Sequence, residues 1–205
     1  MVSWLGWPFR VVPAHVDESL LPDEDPLSHV RRLAGLKAHA PVAGAQSGEV
    51  ILAADTIVVL DGEVLGKPDN AQHAHAMLTS LNGRTHQVIT AICLRQLGTK
   101  HEMRDTCVSH VRMRQYSIED IEEYVKSGDP LDKAGAYAIQ HQGFHPAQGF
   151  SGCQASVMGL PLCHLERTLR GLPEYEPARM DALCQNHLEY ECPIAARVLA
   201  GENIG

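Results

Sequence analysis

The sequence predicts an α/β fold with a mixed central sheet flanked by helices. Two observations carry this expectation. β-Branched apolar runs alternate with amphipathic segments along the chain, as in 50–60 (VILAADTIVVL) after the helical pattern of 26–40. Hydrophobic residues fill 44% of the 205 positions, which supports a core burying about 70% of the unfolded surface. No repeat or low-complexity tract interrupts the alternation.

Residues 9–16 (FRVVPAHV) read as a short strand entering the acidic loop 17–25. Asp25 followed by Pro26 is a helix N-cap and first-turn pair. Leu27, Val30, Leu33 and Leu36 then share one helical face. The run 50–60 fits a buried strand, and Asp61-Gly62 signals a tight turn after it. Asn70 caps a helix with Ala74, Met77, Leu78 and Leu81 on one side, closed by Asn82-Gly83. Strands are expected at 85–97 and 103–114 around Leu97-Gly98, and a helix from Ser117 to about Gly128. The stretch 133–140 (KAGAYAIQ) reads as another short strand. A helix follows with Pro161 at its first position and Leu162, Leu165 and Leu169 inward, and a last helical stretch covers 178–190.

Seventeen Lys and Arg against 25 Asp and Glu give a net charge of -8. Non-specific binding of nucleic acid or of an anionic membrane surface is therefore disfavoured. A small anion held by a few local cations is compatible with that balance. No apolar run approaches the length of a spanning helix, and the N-terminus lacks a basic stretch and a cleavage site, so a cytoplasmic protein is expected. The six cysteines include no C-x-x-C pair and are expected as free thiols.

Three stretches offer chemistry. Asp55-Thr56 lies inside the apolar run 50–60, where an ionised carboxylate is expensive unless it is paired. It is either a strand-end Asp satisfied by backbone N–H groups or a site carboxylate beside a sheet. Gly66-Lys67-Pro68 holds one Lys between backbone-fixing residues, either an ordinary turn or a positioned ammonium. Lys133 to Gln140 combines small residues, a cation and an amide suited to a base edge, although taken alone a packed strand with a salt-bridged Lys is the better reading. Neither a P-loop nor a G-x-G-x-x-G fingerprint is present.

Taken in order, AADTIVVLDGEVLGKP, LNGRTHQVIT, DPLDKAGAYAIQ and SVMGLP resemble the Maf family of nucleoside triphosphate pyrophosphatases, collinearly from about Leu5 to Leu169. The resemblance implies a fold similar to that of the inosine triphosphate pyrophosphatases, with two lobes around a cleft. It places the family domain at 1–170 and leaves 171–205 as a C-terminal extension. It implies hydrolysis of a nucleoside triphosphate, dTTP or UTP in the matching branch, to the monophosphate and pyrophosphate with Mg²⁺ or Mn²⁺. Asp55 matches the proposed proton acceptor, and Thr56 and Gln140 match specificity positions. Glu18, Lys37 and Lys67 match further site residues, and Lys133 joins them as a cation for the phosphates. Asp55 and Glu18 are the expected metal ligands. An unperturbed aspartate is a weak base, so a metal-held water with Asp55 as ligand or relay competes with direct deprotonation. A homodimer is a further expectation from the family.

The chain departs from the family pattern at its start. Leu5-Gly6-Trp7-Pro8-Phe9 matches the end of the first family helix, yet Met1 stands four residues upstream, without the S-x-S-x-R-R motif that contacts phosphate. A misassigned start is the expectation, with true truncation as its competitor. The departure also keeps a second function in view, a nucleotide-binding or septum-related regulatory protein without turnover. A branch preferring methylated GTP is a minor third. His141 and Cys153-Gln154 differ from the family at the pocket rim. Cys163, Cys184, His187 and Cys192 have a loosely zinc-like spacing, weighed against small buried thiols and a surface His.

Overall fold

The run 50–60 forms strand β1 (Val50–Leu60), around which the rest of the chain is arranged. The computed structural model describes residues 1–173 and 175–205. Asp61 (φ 53°) and Gly62 (φ 88°) both take left-handed backbone, the type I′ geometry that matches strand twist. They turn the chain into the short β2 (Glu63–Leu65), which pairs only with Val58–Leu60. On its other side β1 pairs along its length with β3 (Thr85–Gln96). Next come β4 (Glu102–Met113) and β5 (Ala147–Ser151). The sheet order is β2-β1-β3-β4-β5, and every pairing is antiparallel.

Helix α1 (Pro26–His39) covers one face of this sheet. Asp25 caps it by accepting from Leu27 N at 3.0 Å and Ser28 N at 3.1 Å, as its sequence signature predicts. Val30, Ala34 and Ala38 pack on Ile57, Val59, Ile89 and Ala91. The opposite face carries two packed groups. Val58, Leu60 and Val88 meet α2 (Ala71–Leu81) and α3 (Ile118–Lys126). Leu52, Ile92 and Leu94 meet Leu162, Leu165 and Leu169 of α5 (Leu162–Leu169), which follows the short α4 (Gln154–Val157). In the C-terminal extension, Met180 and Cys184 of α6 (Met180–Leu188) and Val198 of α7 (Ala195–Leu199) join the apolar clusters built on α5. Among the described residues, no helix is long and apolar enough to cross a membrane.

The helix-flanked sheet follows expectation, although its pairings are all antiparallel rather than mixed. Leu36, expected on the apolar face of α1, is 41% exposed because the three-residue spacing drifts off the buried stripe, and two expected strands fail. Residues 9–16 make no ladder. Arg10 ties this segment to the loop before β1 instead, through Ala43 O at 2.9 Å and Glu49 Oε2 at 3.2 Å, and Val11 stays 81% exposed. The stretch 133–140 is not a strand either. Gly135 (φ 67°) and Ala136 (φ 60°) adopt left-handed backbone, which no strand accommodates, and the segment forms a 3-10 turn. β5, with glycine and polar residues, lacks a sequence signal and exists because it finds the outer edge of β4.

The 3-10 turn holds the G-K-P loop in place, since Gly135 N donates to Gly66 O at 3.0 Å. A Cβ at Gly135 would lie 2.9 Å from Val58 Cγ2. Gly135→Ala therefore combines a clash with a strained backbone, and it is expected to lower stability by about 1–3 kcal/mol. Urea unfolding with an unchanged midpoint would contradict this packing.

Candidate active site

Strand alternation turns Asp55 toward α1 and Thr56 toward the opposite face. Because β2 stops at Val58, no neighbouring strand covers the outer edge of β1 from Val50 to Ile57 among the described residues. A cleft of about 1270 Å³ runs along part of this edge. Ala53 and Ala54, on opposite faces, both line it, together with Glu18 and Lys37. A ligand at the edge can thus reach both sides of the strand.

On the α1 side, three charged groups meet. Lys37 Nζ lies 2.6 Å from Asp55 Oδ1 and 2.7 Å from Glu18 Oε1. Exposure grades from 8% at Asp55 through 20% at Lys37 to 52% at Glu18, so the cluster has a buried floor and an open mouth. Lys37 occupies the last turn of α1, where a cation also meets the negative end of the helix dipole. Glu18 is carried by a braced loop. Asp17 Oδ1 accepts from Ser19 N at 2.9 Å, and Arg32 of α1 donates to Ser19 O at 2.8 Å and to Glu24 Oε1 at 2.6 Å.

The hydrogen bond from Lys37 holds the Glu18 carboxyl below the usual glutamate range, against a smaller opposing effect of burial. Burial works against the Lys37 ammonium, but its bonds to Asp55 and Glu18 outweigh that and raise its pKa. Lys67, exposed on the loop after β2, adds a weaker attraction on Glu18. The second oxygens, Asp55 Oδ2 and Glu18 Oε2, accept no hydrogen bond among the described residues.

On the other face, Thr56 Oγ1 lies 2.8 Å from Thr90 Oγ1, its register partner on β3. The 133–140 turn packs on this same face through Gly135 against Val58. Lys133 is engaged within that turn, 2.7 Å from Asp129 O, 2.7 Å from Asp132 Oδ1 and 3.1 Å from Asp129 Oδ1. Gln140 is exposed, with its side-chain amide unbonded among the described residues. Of the expected site residues, Glu18, Lys37 and Asp55 therefore touch directly, with Lys67 nearby. Thr56 lies behind the strand, and Lys133 and Gln140 are on an adjoining turn.

All six cysteines are free. Among the described residues, no group of three or more His, Cys, Asp or Glu is placed to hold a metal ion. His187 stacks on Trp4 at 4.5 Å, with Nδ1 2.9 Å from Leu183 O. Two residues behind Thr56 have no role in the sequence reading: Thr90, and Ser156, whose backbone O lies 2.8 Å from Thr90 Oγ1. Both stand in the motif stretches 81–90 and 156–161, but the cross-strand register that brings Thr90 to Thr56 is set by the folded sheet.

The sequence model of a family described as Maf-like protein matches residues 1–172. The chain belongs to the Maf family. It is 41% identical over 202 residues to a dTTP/UTP pyrophosphatase of Thermomicrobium roseum, covering 95% of this chain and 88% of the relative. It is 45% identical over 172 residues to the dTTP/UTP pyrophosphatase of Methylococcus capsulatus, with 84% of each covered. A third relative of that description, from Geobacter sp. strain M21, is 42% identical over 165 residues, or 80% of this chain and 85% of its own length.

In this Maf chain, Lys37→Met leaves Asp55 and Glu18 facing each other without their shared cation. A loss of about 1–3 kcal/mol at pH 7 is expected, between the values for exposed and buried pairs. Glu18 has a depressed folded pKa, so its share of that difference is present above its ordinary value of 4.5 and disappears as pH falls through the lowered one. The gap between wild type and variant in urea unfolding should therefore narrow in acid. A gap that widens below pH 4.5 would contradict the assignment.

Proposed function

We propose that this chain hydrolyses nucleoside triphosphates to the monophosphate and pyrophosphate, with dTTP and UTP as its preferred substrates. The observation that carries the reading is the Glu18–Lys37–Asp55 cluster at the uncovered edge of β1. The names of the relatives support the choice of reaction and of bases. No observation favours the regulatory alternative.

In this reading the triphosphate lies along the α1 side of the edge and the base reaches toward the Thr56 side. Lys37 and Lys67 offset phosphate charge as it shifts to the leaving pyrophosphate. Asp55 Oδ2 accepts a hydrogen bond from the attacking water, orients it toward the α-phosphorus and receives its proton. The new bond joins the water oxygen to the α-phosphorus, and the bond from that phosphorus to the α–β bridging oxygen breaks. Thr56 and Gln140 read the base, and Lys133 stands on the same turn as Gln140 as a further cation.

The donor set suits a hard divalent cation. Glu18 Oε2 is an unbonded carboxylate oxygen and Asp55 Oδ1 keeps a lone pair beside its bond from Lys37, which leaves Oδ2 for the water, and Mg²⁺ is commonly held by one or two carboxylates with phosphate and water completing its shell. Asp55 and Glu18 would hold Mg²⁺ or Mn²⁺ here. When bound, the ion supplies Lewis-acid neutralisation of phosphate charge.

Pyrophosphate release from dTTP and UTP, measured with purified protein and Mg²⁺, is the expected activity. Asp55→Asn keeps the shape of the side chain but loses its proton affinity, and kcat should fall by about 10²–10⁴. Undiminished turnover in that variant would remove Asp55 from the mechanism. A folded wild-type chain that releases no pyrophosphate from any nucleotide would overturn the reading.

A further inference from the structure

We propose that Thr90 is a positioning residue that fixes the Thr56 hydroxyl as a hydrogen-bond acceptor toward the nucleobase. The consequence is selection for a base carrying an N–H at the matching position, as thymine and uracil do at N3. This inference rests on the pyrophosphatase reading above and deepens it.

The argument is proton bookkeeping. Thr90 is fully buried, so its hydroxyl has no solvent to turn to. Its oxygen lies 2.8 Å from Ser156 O and 2.8 Å from Thr56 Oγ1. Ser156 O is a backbone carbonyl and only accepts; it already accepts from Gly159 N at 2.8 Å. Thr90 has one proton. Directing it at Thr56 would leave two acceptor oxygens 2.8 Å apart with no hydrogen between them. The proton therefore goes to Ser156 O, and Thr90 Oγ1 accepts from Thr56. That commits the only proton of Thr56 to the protein and leaves its oxygen solely an acceptor, with a lone pair for a ligand.

The surroundings keep that lone pair reachable. The position beside Thr56 is Gly159, and a Cβ built there would lie 3.7 Å from Thr56 Oγ1 and meet no other residue beyond its chain neighbours within 4 Å. Thr56 and Thr90 also lie at the seam between the two apolar groups on this face, flanked in register by Val58–Val88 and Ala54–Ile92. The hydroxyl pair is thus braced on both sides while its outer side stays open. Cytosine presents a bare N3 acceptor where uracil presents N3–H, so it meets Thr56 acceptor to acceptor.

The test compares kcat/KM for UTP, CTP and N3-methyl-UTP in wild type, Thr90→Val and Thr90→Ser, with thermal unfolding of each. Wild type should prefer UTP over CTP and lose about tenfold or more on N3-methyl-UTP. Thr90→Val frees the Thr56 proton, and the UTP/CTP ratio should fall about tenfold; Thr90→Ser should restore it. An unchanged ratio in folded Thr90→Val, or equal use of UTP and N3-methyl-UTP by wild type, overturns the proposal. If Thr90→Val does not fold, the N3-methyl-UTP comparison in wild type decides. Calorimetry with α,β-imido UTP and α,β-imido CTP separates the two readings. Base selectivity in binding without turnover would sink the hydrolase reading alone, and equal binding of the two analogues would sink this one.

Discussion

A carboxylate at 8% exposure inside an apolar strand is tolerated only with a partner, and Asp55 has one in Lys37 at 2.6 Å. Much else follows from that pairing. Lys37 reaches Asp55 because α1 lies across β1 with Val30, Ala34 and Ala38 facing the sheet. The start of the same helix is pinned by the Asp25 cap, and its middle by the Arg32–Glu24 pair. Those contacts hold the 17–24 loop against the helix, and the loop delivers Glu18 to the other side of the ammonium. One helix thus supplies the cation, the brace for the second carboxylate and the cover for the strand that carries the first.

The shortness of β2 is the second determinant. A longer partner would close the edge of β1 and separate its two faces. Stopping at Val58 leaves residues 50–57 uncovered, so an ionic cluster on one face and the partly exposed Thr56 on the other lie along one open edge, with Thr90 buried behind Thr56. On the proposed function the division suits a nucleotide, with charge handled among Glu18, Lys37, Asp55 and Lys67 and the base met by uncharged groups. The chain as a whole carries a net charge of -8 and these four side chains sum to zero, so individual contacts rather than the overall field would hold a polyanion.

Thr90, buried behind the site, shows the same economy. Thr90 satisfies a carbonyl and a neighbouring hydroxyl with one group, which suits a position with no access to water. The tail thiols show the opposite case. Burial raises the Cys163 pKa to about 12, and the Cys184 pKa to about 11, which makes them inert packing groups at neutral pH.

The sequence by itself determined the main elements. The cap at Asp25, the β-branched run 50–60, the Asp61-Gly62 turn and the inward Leu162, Leu165 and Leu169 are local signals, and local chemistry realises them. It also marked Asp55 as a carboxylate needing a partner, because burial cost is legible from the residues around it. Only the tertiary structure decided who that partner is. Lys37 stands 18 residues away, and Thr90 reaches Thr56 across a register of 34. The strand expected at 133–140 gave way to left-handed backbone at Gly135 and Ala136, where the turn packs on Val58 and holds the Gly66 loop. The strand expected at 9–16 found no ladder, and β5 found one without a sequence signal. Strand pairing and ion pairing both depend on which distant backbone comes within hydrogen-bonding reach, and periodicity and composition carry no information about that.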